Sequence, residues 1–229
     1  MAPSEGGSRA KIGTREPREV GVMPEVDLAI VDGWQRIPGL SSSISDILDE
    51  LGYATAVAAT HLPGRLPGRC VVGRAVTVRY LPERRSREHA EDGLIHKSAM
   101  AIAARGDVLV VEGDGVGLWS VFGGLAAHRA VECGIAGVIV DGAVRDLDQI
   151  SALQLPVWSR GVTSVTGRGR LEGVGINVPV RVAGVQVRPG DVVVADDSGV
   201  CFVPPEVLAE VGRRLRDLTD EEAKILQSR

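Results

Sequence analysis

Arg145 and Asp146 are adjacent residues of opposite charge at the end of the stretch Val-Ile-Val-Asp-Gly-Ala-Val-Arg-Asp, residues 138–146. A guanidinium presents a planar fork of donors and can grip a carboxylate or keto oxygen through two bonds. A carboxylate is a hard oxygen ligand for a divalent cation. Such a pair is commonly a surface ion pair or a helix cap. Its place just after an apolar run, where a buried strand would end, favours a functional reading. Upstream lies Phe122-Gly-Gly-Leu-Ala126. Paired glycines are costly inside a helix, so they mark the place where one begins. A helix start exposes free N–H groups and the positive end of the dipole. Gly123, Gly124, Leu125 and Ala126 are therefore candidates to hold a carboxylate or phosphate. Close helix–strand packing accounts for the glycines equally well.

Gly113-Asp-Gly-Val-Gly117 follows a predicted strand, and Asp141 falls where a ribose-binding acid would sit. This is the local pattern of a dinucleotide or S-adenosylmethionine site. The chain turns to short strands after Trp158 instead of repeating strand–helix units, which weighs against it. Asp196-Asp197-Ser-Gly199 reads as a turn. His61, His89, His96 and His128 show no metal-ligand spacing and read as surface or core residues. Arg84-Arg85-Ser-Arg87 reads as a solvated loop. There is no Gly-x-Ser-x-Gly and no Walker loop.

The elements that must position these residues follow from periodicity. Residues 107–112 and 135–140 are Val-rich runs read as buried strands. Residues 119–133 have helical spacing, and Gly134 stops the helix. Residues 142–146 read as the turn into a helix over 146–153. This is a strand–helix–strand unit, with ligand loops 113–125 and 141–146 at the carboxyl ends of its strands. Earlier in the chain, residues 1–22 read as a disordered tail and 23–229 as one domain. Serine hydroxyls are expected to cap a helix over 41–51, ended by Gly52. A strand is expected over 70–80, with Gly73 at a bulge or close approach, then a helix over 88–104. Later, 156–158 reads as a strand and 161–175 as loop. Residues 178–182, 185–187, 191–195 and 200–203 read as a β meander, and a final helix follows Pro204 and Pro205. Gly106-Asp-Val-Leu-Val-Val and Gly190-Asp-Val-Val-Val-Ala read as two strands with the same lead-in turn.

The 229 residues suffice for a sizeable core. With 44% hydrophobic but only 3% aromatic residues, that core must be Val, Ala, Leu and Ile, as in α/β or β-rich folds. A net charge of −4 argues against a protein that grips nucleic acid. No apolar run reaches membrane-span length, no signal-like segment opens the sequence, and Cys70, Cys133 and Cys201 lack metal spacing. A cytoplasmic protein with reduced thiols is expected.

These motifs together resemble the 4-hydroxy-4-methyl-2-oxoglutarate aldolase family, which also contains the regulator of ribonuclease E activity. The likeness runs from Ser-Ile-Ser-Asp46, through Gly73-Arg-Ala-Val-Thr-Val78 and the two motifs above, to Pro189-Gly-Asp-Val-Val-Val-Ala-Asp-Asp-Ser-Gly199. It implies a β/β/α fold like the swivelling phosphohistidine domain, while the short strands read after residue 177 make the C-terminal third β-rich. It also implies trimers or doubled trimers, Mg²⁺ or Mn²⁺, and a site between subunits. The family's catalytic pattern is Asp, twenty residues, Arg, Asp. The last two match Arg145 and Asp146, the latter as metal ligand, while Gly124 stands where the first acid belongs. The regulator branch departs at the Asp after the Arg, so Asp146 favours an enzyme. Asp114 is the nearest substitute acid by sequence. Glu221 and Glu222 are candidates to reach the metal waters of a neighbouring subunit. The expected function is metal-dependent cleavage of a 4-hydroxy-2-oxo acid to pyruvate, or decarboxylation of oxaloacetate. A regulator that masks a ribonuclease is the alternative, and a methyltransferase using S-adenosylmethionine the third reading.

Overall fold

A computed structural model describes residues 16–85, 93–113 and 117–227. In order they form β1 (Glu19–Val20), α1 (Leu40–Glu50), β2 (Ala56–Ala58), β3 (Val71–Pro82), α2 (His96–Ile102), β4 (Val108–Glu112), β5 (Ser120–Phe122), α3 (Gly124–Cys133), β6 (Gly137–Val144), α4 (Leu147–Ala152), β7 (Val157–Val162), β8 (Leu171–Ile176), β9 (Val180–Val182), β10 (Val185–Val187), β11 (Val192–Ala195), β12 (Gly199–Val203) and α5 (Leu208–Gln227). Among the described residues ten strands make one mixed sheet, ordered β2-β12-β11-β3-β4-β6-β5. β7 also pairs with β6, β8 with β3, and β1 with β8, while β9 and β10 form a separate hairpin.

The alternation of side chains across the central strands divides the core. Val76, Val78, Leu109, Val111, Val138 and Val140 face α2 and α3. Ala75, Val108, Val110 and Ile139 point the other way, beneath the β9–β10 hairpin. β3, β4 and β6 are thus covered on both sides, which is why they read as continuous apolar runs. A third cluster joins α1 and α5 to β11 and β12 through Leu40, Ile44, Leu48, Val211 and Leu215. No helix among the described residues is long and apolar enough to cross a membrane.

The two echoing segments share their turn. Gly106 and Gly190 have φ of 90° and 89°. The Asp that follows each accepts from the backbone N–H three residues back, at 2.8 Å for Asp107 and Ala104 and 2.7 Å for Asp191 and Arg188. The turn at Gly106 also explains Gly73, where a Cβ would lie 2.2 Å from the Gly106 carbonyl oxygen.

Several expectations are corrected. Residues 120–122 are strand, not helix, because Ser120 and Phe122 pair with Ala143 and Val144 of β6. The glycine loop from Gly113 therefore feeds a strand, which removes the helix a nucleotide site needs. β6 continues through residues 142–144, expected as turn. Asp141 is consequently inside a strand, buried, ion-paired to Arg160 and accepting from Ala183 N at 3.0 Å, so it is not a free ribose ligand. The helix expected over 88–104 occupies only His96–Ile102, and its residues 88–92 lie outside the described residues. Residues 171–175, the end of the expected loop, belong to β8. Gly173 permits that strand to pass Ile95, whose side chain would lie 2.4 Å from a Cβ there. The expected tail over 1–22 contributes β1, parallel to β8. The meander breaks after β10, since β11 pairs with β12 and β3 instead. α1 starts at Leu40, after Gly39, with no cap from its serines. Asp196, in the β11–β12 turn, accepts from Ser41 N at 2.9 Å and from Ser41 Oγ at 2.6 Å.

Candidate active site

β6 delivers Arg145 and Asp146 at its carboxyl end. The Arg145 N–H donates to the Phe122 carbonyl at 3.0 Å, which fastens the end of β6 to the end of β5 and hence to the start of α3. Asp146 then takes a left-handed conformation, φ 56° and ψ 47°, ahead of α4. For a residue with a Cβ this costs about 1–3 kcal/mol, and Asp tolerates it better than most. The distortion turns the carboxylate back over α3. Asp146 Oδ2 accepts from Gly124 N at 3.1 Å and lies 3.4 Å from Arg145 Nε. The closeness requires glycine at 123. A Cβ there would meet Arg145 Cγ at 2.8 Å and Asp146 Oδ2 at 2.9 Å.

Gly123, Gly124, Leu125, Ala126, Arg145 and Asp146 are thus brought together, and the paired glycines do open α3. The Gly124 N–H is spent on Asp146, while the N–H groups of Leu125 and Ala126 sit in the first turn, where no intrahelical acceptor exists. Arg145 and Asp146 each keep 35% of their side-chain surface exposed, so both can meet a ligand.

The start of α3 and Arg145 line a cleft together with His96 and Lys97 of α2, Ser120 and Phe122 of β5, and Thr166 and Arg168 before β8. Three side-chain cations therefore converge on one helix start, and the cleft suits an anion. Lys97 and Arg168 were not legible as site residues, because their elements carry no motif and come from distant parts of the chain. His96, which the sequence left as surface or core, is buried and borders the cleft. Burial, reinforced by the charges of Lys97 and Arg168, lowers its pKa to about 4.

Asp114 lies outside the described residues. Glu221 and Glu222 are exposed on α5, which packs with α1 in a different layer from α3. Glu221 borders Glu50, Arg213 and Asp217 there, so within its own chain it does not join Arg145.

The divalent ion implied by the resemblance fits one donor. Oδ2 of Asp146 is engaged, and Oδ1 has no protein partner among the described residues. No cluster of three or more His, Cys, Asp or Glu among the described residues could hold a metal ion. One carboxylate oxygen with water for the rest suits Mg²⁺ or Mn²⁺ and not a closed zinc site.

The space beside Gly124 is taken by Gln149 of α4. A Cβ on Gly124 would lie 1.9 Å from Gln149 Oε1, 2.6 Å from its Cδ and 3.2 Å from its Cβ. The amide thus occupies the volume where an acidic side chain at 124 would start.

The Aldolase/RraA family model matches residues 41–202. A putative 4-hydroxy-4-methyl-2-oxoglutarate aldolase of Halalkalibacterium halodurans is 34% identical over 80% of each chain. Protein DlpA of Legionella pneumophila is 31% identical over 75% of this chain, which spans only 27% of that protein. RraAS2 of Streptomyces coelicolor, an unusual member of the RNase ES inhibitor RraA protein family, superposes with a TM-score of 0.77 at 28% identity, covering 90% of this chain and 99% of the other. The glycine-opened helix, the Arg–Asp pair and these likenesses agree, and the chain belongs to the RraA-like family.

Proposed function

We propose that this protein is a divalent-metal-dependent carbon–carbon lyase acting on a 2-oxo acid. The observation that carries the reading is the meeting of Arg145 and the start of α3 in a cleft lined also by Lys97 and Arg168, with Asp146 bonded to Gly124 N and beside Arg145. The N–H groups of Leu125 and Ala126 would bind the substrate carboxylate, helped by the dipole of α3. The Arg145 guanidinium would donate to the keto oxygen and strengthen its hold as that oxygen gains charge on the way to an enolate. Asp146 would hold Mg²⁺ or Mn²⁺ through Oδ1, and the ion, when bound, supplies positive charge beside the same oxygen. Gly123 keeps Arg145 and Asp146 close to the helix start.

Decarboxylation of oxaloacetate needs only stabilisation of the enolate. Retro-aldol cleavage of a 4-hydroxy-2-oxo acid needs a base for the hydroxyl as well. With Gly124 in the place of the family acid and a neutral amide over it, decarboxylation is the activity these residues support better. The proposal extends to a homotrimer or dimer of trimers on a swivelling-domain-like fold. Glu221 and Glu222 would then approach a neighbouring subunit's site.

The missing acid also favours one other reading, a non-catalytic regulator of a ribonuclease, in line with the inhibitor family of the Streptomyces coelicolor relative. One assay separates them. Oxaloacetate and a series of 4-hydroxy-2-oxo acids are incubated with the protein, with and without chelator, and pyruvate is measured. The lyase reading expects pyruvate that vanishes with chelator and returns with Mg²⁺ or Mn²⁺. Absence of pyruvate from every substrate, or release that ignores chelator, would overturn it.

A further inference from the structure

Gln149 has no part in the chemistry above, yet its amide lies over the start of α3. Its Oε1 sits 1.9 Å from where a Cβ on Gly124 would be. Asp146, three residues earlier, reaches the same glycine and accepts from its N–H through Oδ2 at 3.1 Å. Two side-chain oxygens from one turn therefore meet at Gly124. The turn itself is fixed, since the Ile150 N–H donates to the Asp146 carbonyl and the Leu153 N–H to the Gln149 carbonyl, each at 3.1 Å. Among the described residues the Gln149 amide makes no hydrogen bond, and neither does Asp146 Oδ1. Gln149 is exposed, and a long exposed side chain keeps most rotamer freedom by extending into water. This one lies instead against a glycine that leaves it room, with its oxygen beside the carboxylate expected to hold the metal.

An amide oxygen is a neutral acceptor with two lone pairs. Mg²⁺ held by one carboxylate keeps several waters, and polarised waters are strong donors that need acceptors around them. We propose that Gln149 is a positioning residue for the divalent ion: its Oε1 accepts a hydrogen bond from the hydration shell of the ion held by Asp146, in the place that an acidic side chain at 124 would otherwise fill. The neutral oxygen orients the shell without adding negative charge. The ion is then held less tightly than by two carboxylates, and keeps more of its positive charge for the substrate oxygen. The inference rests on Asp146 holding the ion in the proposed lyase, and its test keeps the two apart.

The probe is Mn²⁺ alone, titrated into the full chain without substrate. Hydrated Mn²⁺ gives a sharp electron paramagnetic resonance spectrum that broadens on binding, so the free ion is read directly and no activity is needed. Gln149→Ala should bind Mn²⁺ about 10–100-fold more weakly than wild type, the usual loss on removing a group that orients a metal's ligands. Gln149→Glu places a carboxylate oxygen at the same point and should bind more tightly. Weaker binding by Gln149→Glu would show that the amide works through its N–H, and would overturn the inference. Asp146→Asn is the control. It keeps an acceptor for the Gly124 N–H, tolerates the left-handed backbone and removes the charge, so Mn²⁺ should be lost. Thermal melting checks that each variant is folded. If Asp146→Asn loses Mn²⁺ while a folded Gln149→Ala keeps wild-type affinity, the metal site stands and Gln149 falls. If Asp146→Asn binds like wild type, or wild type binds no Mn²⁺, both fall.

Discussion

Gly124→Asp restores an acid at the position where the family carries one, and the surroundings set what it must do. The new Cβ would start 1.9 Å from Gln149 Oε1 and 2.6 Å from its Cδ, so the amide has to leave. Gln149 is exposed and can swing into solvent, at a cost of about 0.5–1.5 kcal/mol if it settles off its preferred rotamer. Its Cβ, at 3.2 Å, must give by a few tenths of an ångström. Against this, replacing glycine restricts the unfolded chain and gains up to about 1 kcal/mol, and a carboxylate in the first turn about 0.3–1 kcal/mol. Stability should therefore change by no more than about 1 kcal/mol. The two carboxylates, at 124 and 146, would face each other across the helix start. Like charges at that distance raise one pKa, which suits a group that must take up and return a proton. General acid–base help is typically worth about 10²–10⁴-fold. The assay is kcat/KM for a 4-hydroxy-2-oxo acid and for oxaloacetate, measured in wild type, Gly124→Asp, Gln149→Ala and the double variant. Aldolase activity should rise more than decarboxylase activity, and most in the double variant, where space is free. Retro-aldol turnover that is strong in wild type and unchanged in all three variants would refute the reasoning, because neither the missing acid nor the amide covering its place would then matter.

Three further outcomes follow from the same geometry. Arg145→Lys should lower kcat/KM by about 10–100-fold, because an ammonium cannot reproduce a planar bidentate grip; near-normal turnover would remove Arg145 from the site. Gly123→Ala should leave the fold intact, since φ of −161° suits any residue, yet push Arg145 and Asp146 aside and cost about tenfold or more in activity, while thermal melting stays near wild type. Burial of Asp191 raises its pKa to about 6, above the value in the unfolded chain. The protonated form is favoured by folding, so this contribution to stability is present at pH 4 and is lost as pH rises through about 6. Asp191→Asn keeps an acceptor for the Arg188 N–H and removes the charge; in urea unfolding it should stabilise at pH 7.5 by up to about 3 kcal/mol and have little effect at pH 4. A loss of stability at pH 7.5 would show that the ionised carboxylate is favourable there.

The sequence by itself determined the central strands over 108–112 and 137–140, because strands covered on both faces must be apolar without interruption. It located α3 by its paired glycines and Gly134, and it picked out Arg145 and Asp146 by their place beyond an apolar run. It also determined the shared turn before β4 and β11, since Gly-Asp with a left-handed glycine is local chemistry. What it could not supply was anything set by partners distant along the chain. Residues 120–122 carry helical spacing but are a strand because β6 lies alongside. The cap of α1 comes from Asp196, 155 residues beyond Ser41. Lys97 and Arg168 carry no motif and meet Arg145 only once α2 and the segment before β8 are folded against the end of β5. The contact of the Tyr80 hydroxyl with His96 and the Gln149 amide that fills the place beside Gly124 depend on side-chain directions fixed by packing. Local periodicity encodes which face of an element is buried; which residues share a cleft is decided by how the faces meet.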